Sequence, residues 1–454
     1  MEIDRSKRPQ SSPEVTFSIP KISEFKLNNG LRVLFSEKNS LPIIRMSLLT
    51  DSGSRFDPQN YKGLSNLLTL CIDEGAGKFS ALELTDEFEM LGAQFSVASD
   101  SDISIISLQV LRENFIPALK LFKSVIVEPH LKAEDFRREH GKVVVRLNQL
   151  KAEPDYIADV SFERFLFGSS CQYSFPVIGV EKDIKNITNQ QVREFYDKKF
   201  YPANSTLIVV GNIDQTSLFD YLQGEFGNWQ KALVDNSDNL LTGNEKPRLY
   251  IINKPDSVQT EIRTGHLTSK RDTKDFLQKQ LLNLVIGGQF SSRLNLNLRE
   301  KNGYTYGVHS SFIYFKDAGY FLVNTSVSSD NTANALREIL SEIKKAKEGI
   351  LKEELEFAKS SLSKRFPANF ETFRQISSII GSKVIHNLPD NYFETYLTNL
   401  NAINIDGTNA VAENSIYPDK LITVLVGDAD KIIDQLDKDN FGEVELLKQE
   451  DIFN

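Results

Sequence analysis

The residues able to do chemistry are few and scattered. Five histidines occur in 454 residues: His130, His140, His266, His309 and His386. Neither H-E-x-x-H nor its inverse H-x-x-E-H is present. A helix-borne zinc site needs two histidines four residues apart on one face, with a glutamate between them to act as base. That site is therefore not expected from these histidines, and each alone reads as a structural residue. A phosphate-cradling G-x-x-x-x-G-K-[ST] loop and a G-x-S-x-G nucleophile elbow are also missing.

One stretch has more to offer. Gly287-Gly-Gln-Phe-Ser-Ser-Arg-Leu294 leads into Leu298-Arg-Glu-Lys-Asn-Gly-Tyr-Thr-Tyr-Gly307. Apolar Phe276, Leu277, Leu281, Leu284 and Val285 predict a helix that runs up to Gly287 and Gly288. Arg299 is expected near the end of the next helix, Gly303 in the turn, and Tyr306 at the start of a strand through Val308, Phe312 and Tyr314. A guanidinium fork and a phenol brought to one junction can bind a peptide carbonyl or a developing oxyanion. The same two residues could equally cap a helix C-terminus and pack with a satisfied hydroxyl. Gly287 and Gly288 likewise read either as a simple helix stop or as the floor of a cavity.

The elements that must position these residues show in the hydrophobic pattern. Gly30–Phe35, Ile43–Thr50 and Asp102–Val110 read as strands. Leu64, Leu67, Leu68 and Cys71 fall at i, i+3, i+4 and i+7 of a helix. Phe136, Val143, Leu147 and Leu150 share one face of a long helix from Glu134 to about Ala152. The strongest organisational signal is a repeat. Tyr201-Pro-Ala-Asn-Ser-Thr-Leu-Ile-Val-Val-Gly-Asn-Ile-Asp214 recurs as Tyr417-Pro-Asp-Lys-Leu-Ile-Thr-Val-Leu-Val-Gly-Asp-Ala-Asp430. Each copy is a proline turn, a buried β-branched strand and a Gly/Asp turn, and each closes one half of the chain. The fold class expected is α+β: two homologous domains, each a mainly antiparallel sheet with helices packed on one face. The expected divisions are a flexible segment 1–20, an N-terminal domain 21–229, a polar linker 230–245, a C-terminal domain 246–440 and a tail 441–454.

Composition limits the rest. Hydrophobic residues make up 40% and charged residues 25%, enough apolar surface for sizeable cores. A net charge of −9 with mixed signs argues against a nucleic-acid partner. No run of 18 apolar residues occurs, so no membrane-spanning helix is expected. Met1–Pro20 lacks the apolar core of a secretory signal, which points to the cytoplasm. Cys71 and Cys171 form neither a CxxC motif nor a disulfide framework.

The strand ending in Asp51-Ser-Gly-Ser-Arg55, followed by Gly63-Leu-Ser-Asn-Leu-Leu-Thr-Leu70, resembles the pitrilysin-type inverted-zincin metallopeptidases, and within them the mitochondrial-processing-peptidase-like branch. Phe167-Gly168, Phe175–Gly179, Ile187-Thr188, Phe195-Tyr196, Tyr201–Asp214 and Leu298–Tyr306 resemble that family in the same order, so the likeness covers roughly residues 22–435. The resemblance puts Asn66 and Leu70 where the family has its two zinc-binding histidines. Thr69 stands in place of the glutamate base, and Arg146 in place of the distal glutamate ligand. Arginine stays protonated and has no lone pair to give a metal.

The resemblance further implies that Arg299 and Tyr306 match an Arg/Tyr pair that completes the active site of a facing, zinc-bearing domain, with Gly287 and Gly288 at the cavity. The expectation is a chain that binds no zinc itself. It would act as the non-zinc-binding subunit of a two-chain peptidase that cleaves peptides or small unfolded proteins. A homologous partner would carry zinc, its ligands and the base. The alternative is a catalytically inactive homodimer that binds peptides or scaffolds a complex, as the core subunits of the respiratory bc1 complex resemble this family without serving mainly as peptidases.

Overall fold

The computed structural model describes residues 18–230, 248–271, 274–436, 441 and 443–453. The expected segment 1–20 therefore lies outside the described residues apart from its last three, and the expected linker lies outside them apart from Gln230.

Among the described residues, twelve strands form two six-stranded sheets. The first has the order β1-β2-β6-β3-β5-β4. It comprises β1 (Ser23–Lys26), β2 (Arg32–Glu37), β3 (Ile43–Thr50), β4 (Gln94–Ser99), β5 (Ser104–Leu111) and β6 (Ser205–Gly211). The second has the order β12-β7-β11-β8-β10-β9. Its strands are β7 (Arg248–Asn253), β8 (Gln259–Thr268), β9 (Val308–Tyr314), β10 (Gly319–Ser328), β11 (Ile422–Gly427) and β12 (Val444–Lys448). β2 and β6 pair in parallel, as do β7 and β11; the ladders from there to β4 and to β9 are antiparallel.

The two halves thus repeat one topology. The repeated sequence becomes the same element in both: a 3-10 turn (Pro202–Asn204, Pro418–Lys420), then β6 or β11 in the sheet interior. The sheets differ at the outer edge, where β1 runs antiparallel to β2 but β12 runs parallel to β7. The expected tail 441–454 is thereby corrected in part. Val444–Lys448 joins the second sheet and Gln449–Phe453 forms a short helix, because the alternating residues of an edge strand give only a weak sequence signal.

Every residue of β6 and of β11 is buried, which is the pattern of a strand covered on both faces. The expectation of helices on one face is extended accordingly. The second face of each sheet is covered by a helix from the other half. Pro154–Phe167 lays Ile157, Ala158 and Phe162 against Ile252, Ile422, Val424 and Val426. Phe373–Ile385 lays Ile376 and Ile380 against Leu34, Leu49, Ile208 and Val210. Each fully buried Ile, Leu, Val or Phe contributes about 1.5–3 kcal/mol, so this exchange binds the halves into one body.

Candidate functional site

Arg299 and Tyr306 lie on the connection between the helix Phe276–Ile286 and β9. The connection contains a wide, π-type turn over Asn295–Lys301, then Gly303 with φ +67°, before β9 begins at Val308. A positive φ of this kind favours glycine because it has no Cβ to clash. Tyr306 therefore sits in the turn rather than on the strand, which corrects the expected start by two residues. The cause is the clamp formed by Asn295. Its Nδ2 donates to the Val308 carbonyl at 2.7 Å, and its Oδ1 accepts from the Val308 amide at 3.2 Å. Thr305 supplies a second anchor, donating from Oγ1 to the carbonyl of Ser326 at 2.8 Å and of Gly307 at 2.9 Å. Leu298 and Val308 are fully buried on either side.

Held between these anchors, Tyr306 is 97% exposed. Its hydroxyl makes no hydrogen bond among the described residues. Arg299 stacks its guanidinium carbon 3.8 Å from the ring centre of Phe290, itself an unusually exposed aromatic. Such stacking fixes the plane of the fork and leaves its edge open to acceptors. The nearest acid is the neighbouring Glu300, at 3.6 Å. A helix-capping Arg299 and a packed Tyr306 are not what the chain forms. The Tyr306 phenol faces outwards, Arg299 is half-buried, and no hydrogen bond joins the two. Phe290 and Asn295 were not singled out in the sequence. The signals available were an aromatic between Gly288 and Arg299 and an Asn thirteen residues before the strand.

Gly287 and Gly288 end the helix by donating to the Asn283 carbonyl at 3.0 and 2.7 Å. A Cβ on Gly287 would come within 2.7 Å of the Ser310 backbone nitrogen. This glycine allows the helix end to approach β9, a packing role.

The four positions in the first half form a different picture. Asn66, Thr69 and Leu70 lie on the helix Leu64–Cys71, and Arg146 on the helix Ala133–Leu150. The Thr69 hydroxyl is satisfied by the Asn66 carbonyl at 2.8 Å; Leu70 and Arg146 are exposed. An amide, a hydroxyl, an alkyl chain and a cation are not a donor set for zinc, and these residues do not fit one. Among the described residues no three His, Cys, Asp or Glu side chains are grouped so as to hold a metal. Three of the histidines tie backbone: His130 Nε2 to the Gly77 carbonyl, His140 Nε2 to Ile184, and His266 Nδ1 to Leu267 while its Nε2 accepts from Tyr417 N.

Two carboxylates organise the segment around Arg55. Asp57 accepts from the Gly63 amide at 2.7 Å and the Ser65 amide at 2.8 Å, holding the start of the Leu64–Cys71 helix. Burial pushes its carboxyl up to about 7 against the pull of those donors. Arg55 is buried and joins Asp102 and Tyr173 of the first half to Asp317 in the β9–β10 turn. The Tyr173 hydroxyl donates to Asp102 at 2.6 Å, and the Lys316 amide donates to the other Asp102 oxygen at 2.8 Å. This network fixes the hairpin that carries β9, and with it the turn bearing Tyr306, to the first half.

The comparisons with known proteins agree with this architecture. Residues 32–165 match the family model for insulinase, peptidase family M16, and residues 186–362 match the model for the peptidase M16 inactive domain. The chain belongs to peptidase family M16. Asn66, Thr69, Leu70 and Arg146 fall within the first match, and Arg299 and Tyr306 within the second. A relative from Rickettsia felis, described as an uncharacterized zinc protease, is 26% identical over 89% of this chain and 97% of its own. Subunit 1 of the mitochondrial cytochrome b-c1 complex of Caenorhabditis elegans is 24% identical over 83% of this chain and 82% of its own. A crystal structure of a peptidase M16 inactive domain from Pseudomonas fluorescens superposes with a TM-score of 0.84 at 25% identity, over 90% of this chain and 98% of that one. No helix of the described residues is long and apolar enough to cross a membrane.

Proposed function

We propose that this chain is the non-zinc-binding subunit of a two-chain M16 peptidase acting on peptides or small unfolded proteins. The observation that carries the reading is a contrast. Tyr306 is held out by a built turn with its hydroxyl uncommitted, and Arg299 is stacked on Phe290 with only its neighbour Glu300 as an acidic partner. The metal-ligand positions of the first half hold residues that cannot ligate zinc. The metal, its ligands and the general base would come from a homologous partner. This chain contributes what its own atoms can do: Arg299 and Tyr306 donate hydrogen bonds to the substrate carbonyl oxygen as it gains charge, and the cavity wall orients an extended peptide. Removing one such donor typically costs about 10²–10³ in turnover.

The alternative is a homodimer that binds peptides or scaffolds a complex without cutting. The likeness to a cytochrome b-c1 complex subunit favours it. A tagged pull-down from the native source separates the two. The first reading requires a roughly equimolar homologous partner carrying H-x-x-E-H, together with zinc and peptidase activity. Recovery of this chain alone, metal-free and inactive, supports the second.

A further inference from the structure

A cavity of about 330 Å³ opens between the first sheet and the helix Phe373–Ile385 supplied by the second half. Its walls are unusual for a junction that elsewhere buries Leu and Ile. From the helix come Arg374, Ser377, Ser378, Gly381 and Ser382, spaced i, i+3, i+4, i+7 and i+8 on one face. From the sheet come Arg45 and Ser47 of β3, Ser107 of β5 and Ser96 of β4, the strand at the sheet's open edge. Register puts Arg45 opposite Gln109 and Val210, so it shares a face with Ser47, two residues on.

The charge balance of this cavity is one-sided. Two guanidinium groups line it and no carboxylate does. Neither the Arg45 nor the Arg374 guanidinium makes a hydrogen bond or ion pair among the described residues. The Arg45 Nε is buried without a partner. Burial, and then the Arg374 charge, lower the pKa of Arg45, so the two cations feel each other with no acid between them. Leaving a buried donor of a charged group unpaired is costly, because it gives up water and gains no acceptor in return. The serines are partly committed: Ser377 donates to Ser47 at 3.1 Å, Ser47 bonds Ser107 at 2.9 Å, and Ser382 accepts from Arg271. The Ser96 and Ser378 hydroxyls have no partner among the described residues and remain free to donate.

We propose that this cavity is an anion subsite that takes a carboxylate of a bound peptide between Arg45 and Arg374. A bare inorganic anion would satisfy the arginines but leave the apolar walls, Leu49, Ile105 and Ile385, against water. A peptide end or acidic side chain meets both: its carboxylate accepts from the guanidinium forks and serine hydroxyls, and its aliphatic part covers the walls. The proposal rests on the reading above for peptide as the ligand class, and names which feature of the peptide this chain selects.

The test is calorimetric titration of the isolated full chain, in buffer free of phosphate and carboxylates, with three acetylated tripeptides. These are Ala-Ala-Ala with a free C-terminus, its C-terminal amide, and Ala-Glu-Ala amide. Arg374→Gln is the first variant, because Arg374 is exposed and its loss leaves the fold intact; Arg45→Gln is the second. The proposal expects one or both carboxylate peptides to bind. It also expects the neutral amide, and either variant with any peptide, to bind about tenfold or more weakly. Binding of the free-terminus peptide identifies a C-terminal carboxylate, and binding of the Glu peptide identifies an acidic side chain. Equal binding of the neutral amide, unchanged affinity in Arg374→Gln, or no binding of any peptide overturns it. No turnover is read, so this result is independent of whether a zinc-bearing partner exists.

Discussion

Substitution of Asp102 by alanine tests how the two halves are joined. Asp102 is buried and accepts from the Tyr173 hydroxyl at 2.6 Å and the Lys316 amide at 2.8 Å, with Arg55 Nε 3.5 Å away. Alanine leaves the phenol with only Arg55 at 3.4 Å, and leaves a backbone amide of the β9–β10 turn unpaired. A hydrogen bond to a charged group is worth about 1.5–3 kcal/mol, and an orphaned buried donor costs about 1–3 kcal/mol. Removing one partner of a buried ion pair costs about 3–5 kcal/mol. Burial raises the Asp102 carboxyl above its ordinary range despite these donors, so part of its charge is already unfavourable. The expected loss is therefore at the lower end, about 3 kcal/mol. Urea denaturation followed by far-ultraviolet circular dichroism and by the single tryptophan, Trp229, measures it. Asp51→Ala is the control. It removes the half-exposed Lys316–Asp51 pair, worth less than about 1 kcal/mol. A loss at Asp102 no greater than in that control refutes the argument that this network holds the halves together.

Three further outcomes follow from the geometry. Glu163 is half-buried beneath the second sheet, accepts from the Tyr320 hydroxyl at 2.7 Å, and is pushed by desolvation from 4.5 up to about 7. The native state then holds a proton that the unfolded chain has released, so stability falls as pH rises from 4.5 to about 7. Glu163→Gln should flatten that part of the stability–pH curve, and an unchanged slope would contradict the assignment. Gly287→Ala drives a methyl to 2.7 Å from the Ser310 nitrogen and should cost about 1–3 kcal/mol by thermal unfolding; a neutral result would mean the helix end is not tightly packed. Asn295→Ala frees the turn while leaving Arg299 and Tyr306 in place. In the proposed two-chain enzyme it should lower kcat about tenfold or more with little change in KM, since misplacement alone is costly; a KM effect alone would point to substrate binding instead.

Much of the scaffold is legible because burial on two faces leaves a plain mark. Leu207–Val210 and Val424–Val426 show no alternation, and their shared flanks reveal the duplication. The exchange of helices is not legible in the same way. Phe373–Ile385 carries Arg374, Ser377, Ser378 and Ser382 on one face, which periodicity alone assigns to solvent, yet that face closes a cavity against another domain's sheet. Arg55 is a further case. Its place in Asp51–Arg55 reads as part of a family pattern, but its partners Asp102, Tyr173 and Asp317 lie 47 to 262 residues away along the chain, a separation no local pattern encodes. Residue type and spacing single out Arg299 and Tyr306 but leave a capping or packing role open, and only the family resemblance makes them a functional pair. Their freedom depends on Phe290, Asn295 and Thr305, whose roles exist only once the turn is folded.

The central claim is that Arg299 and Tyr306 of this chain serve chemistry that a partner's metal site begins. The most direct measurement is the initial rate of peptide turnover by the recovered pair with wild-type, Arg299→Ala and Tyr306→Phe chains at equal zinc content and equal complex formation. The account predicts a fall of about 10²–10³ for the loss of either donor. Wild-type turnover by both variants in an intact, zinc-loaded complex would contradict it.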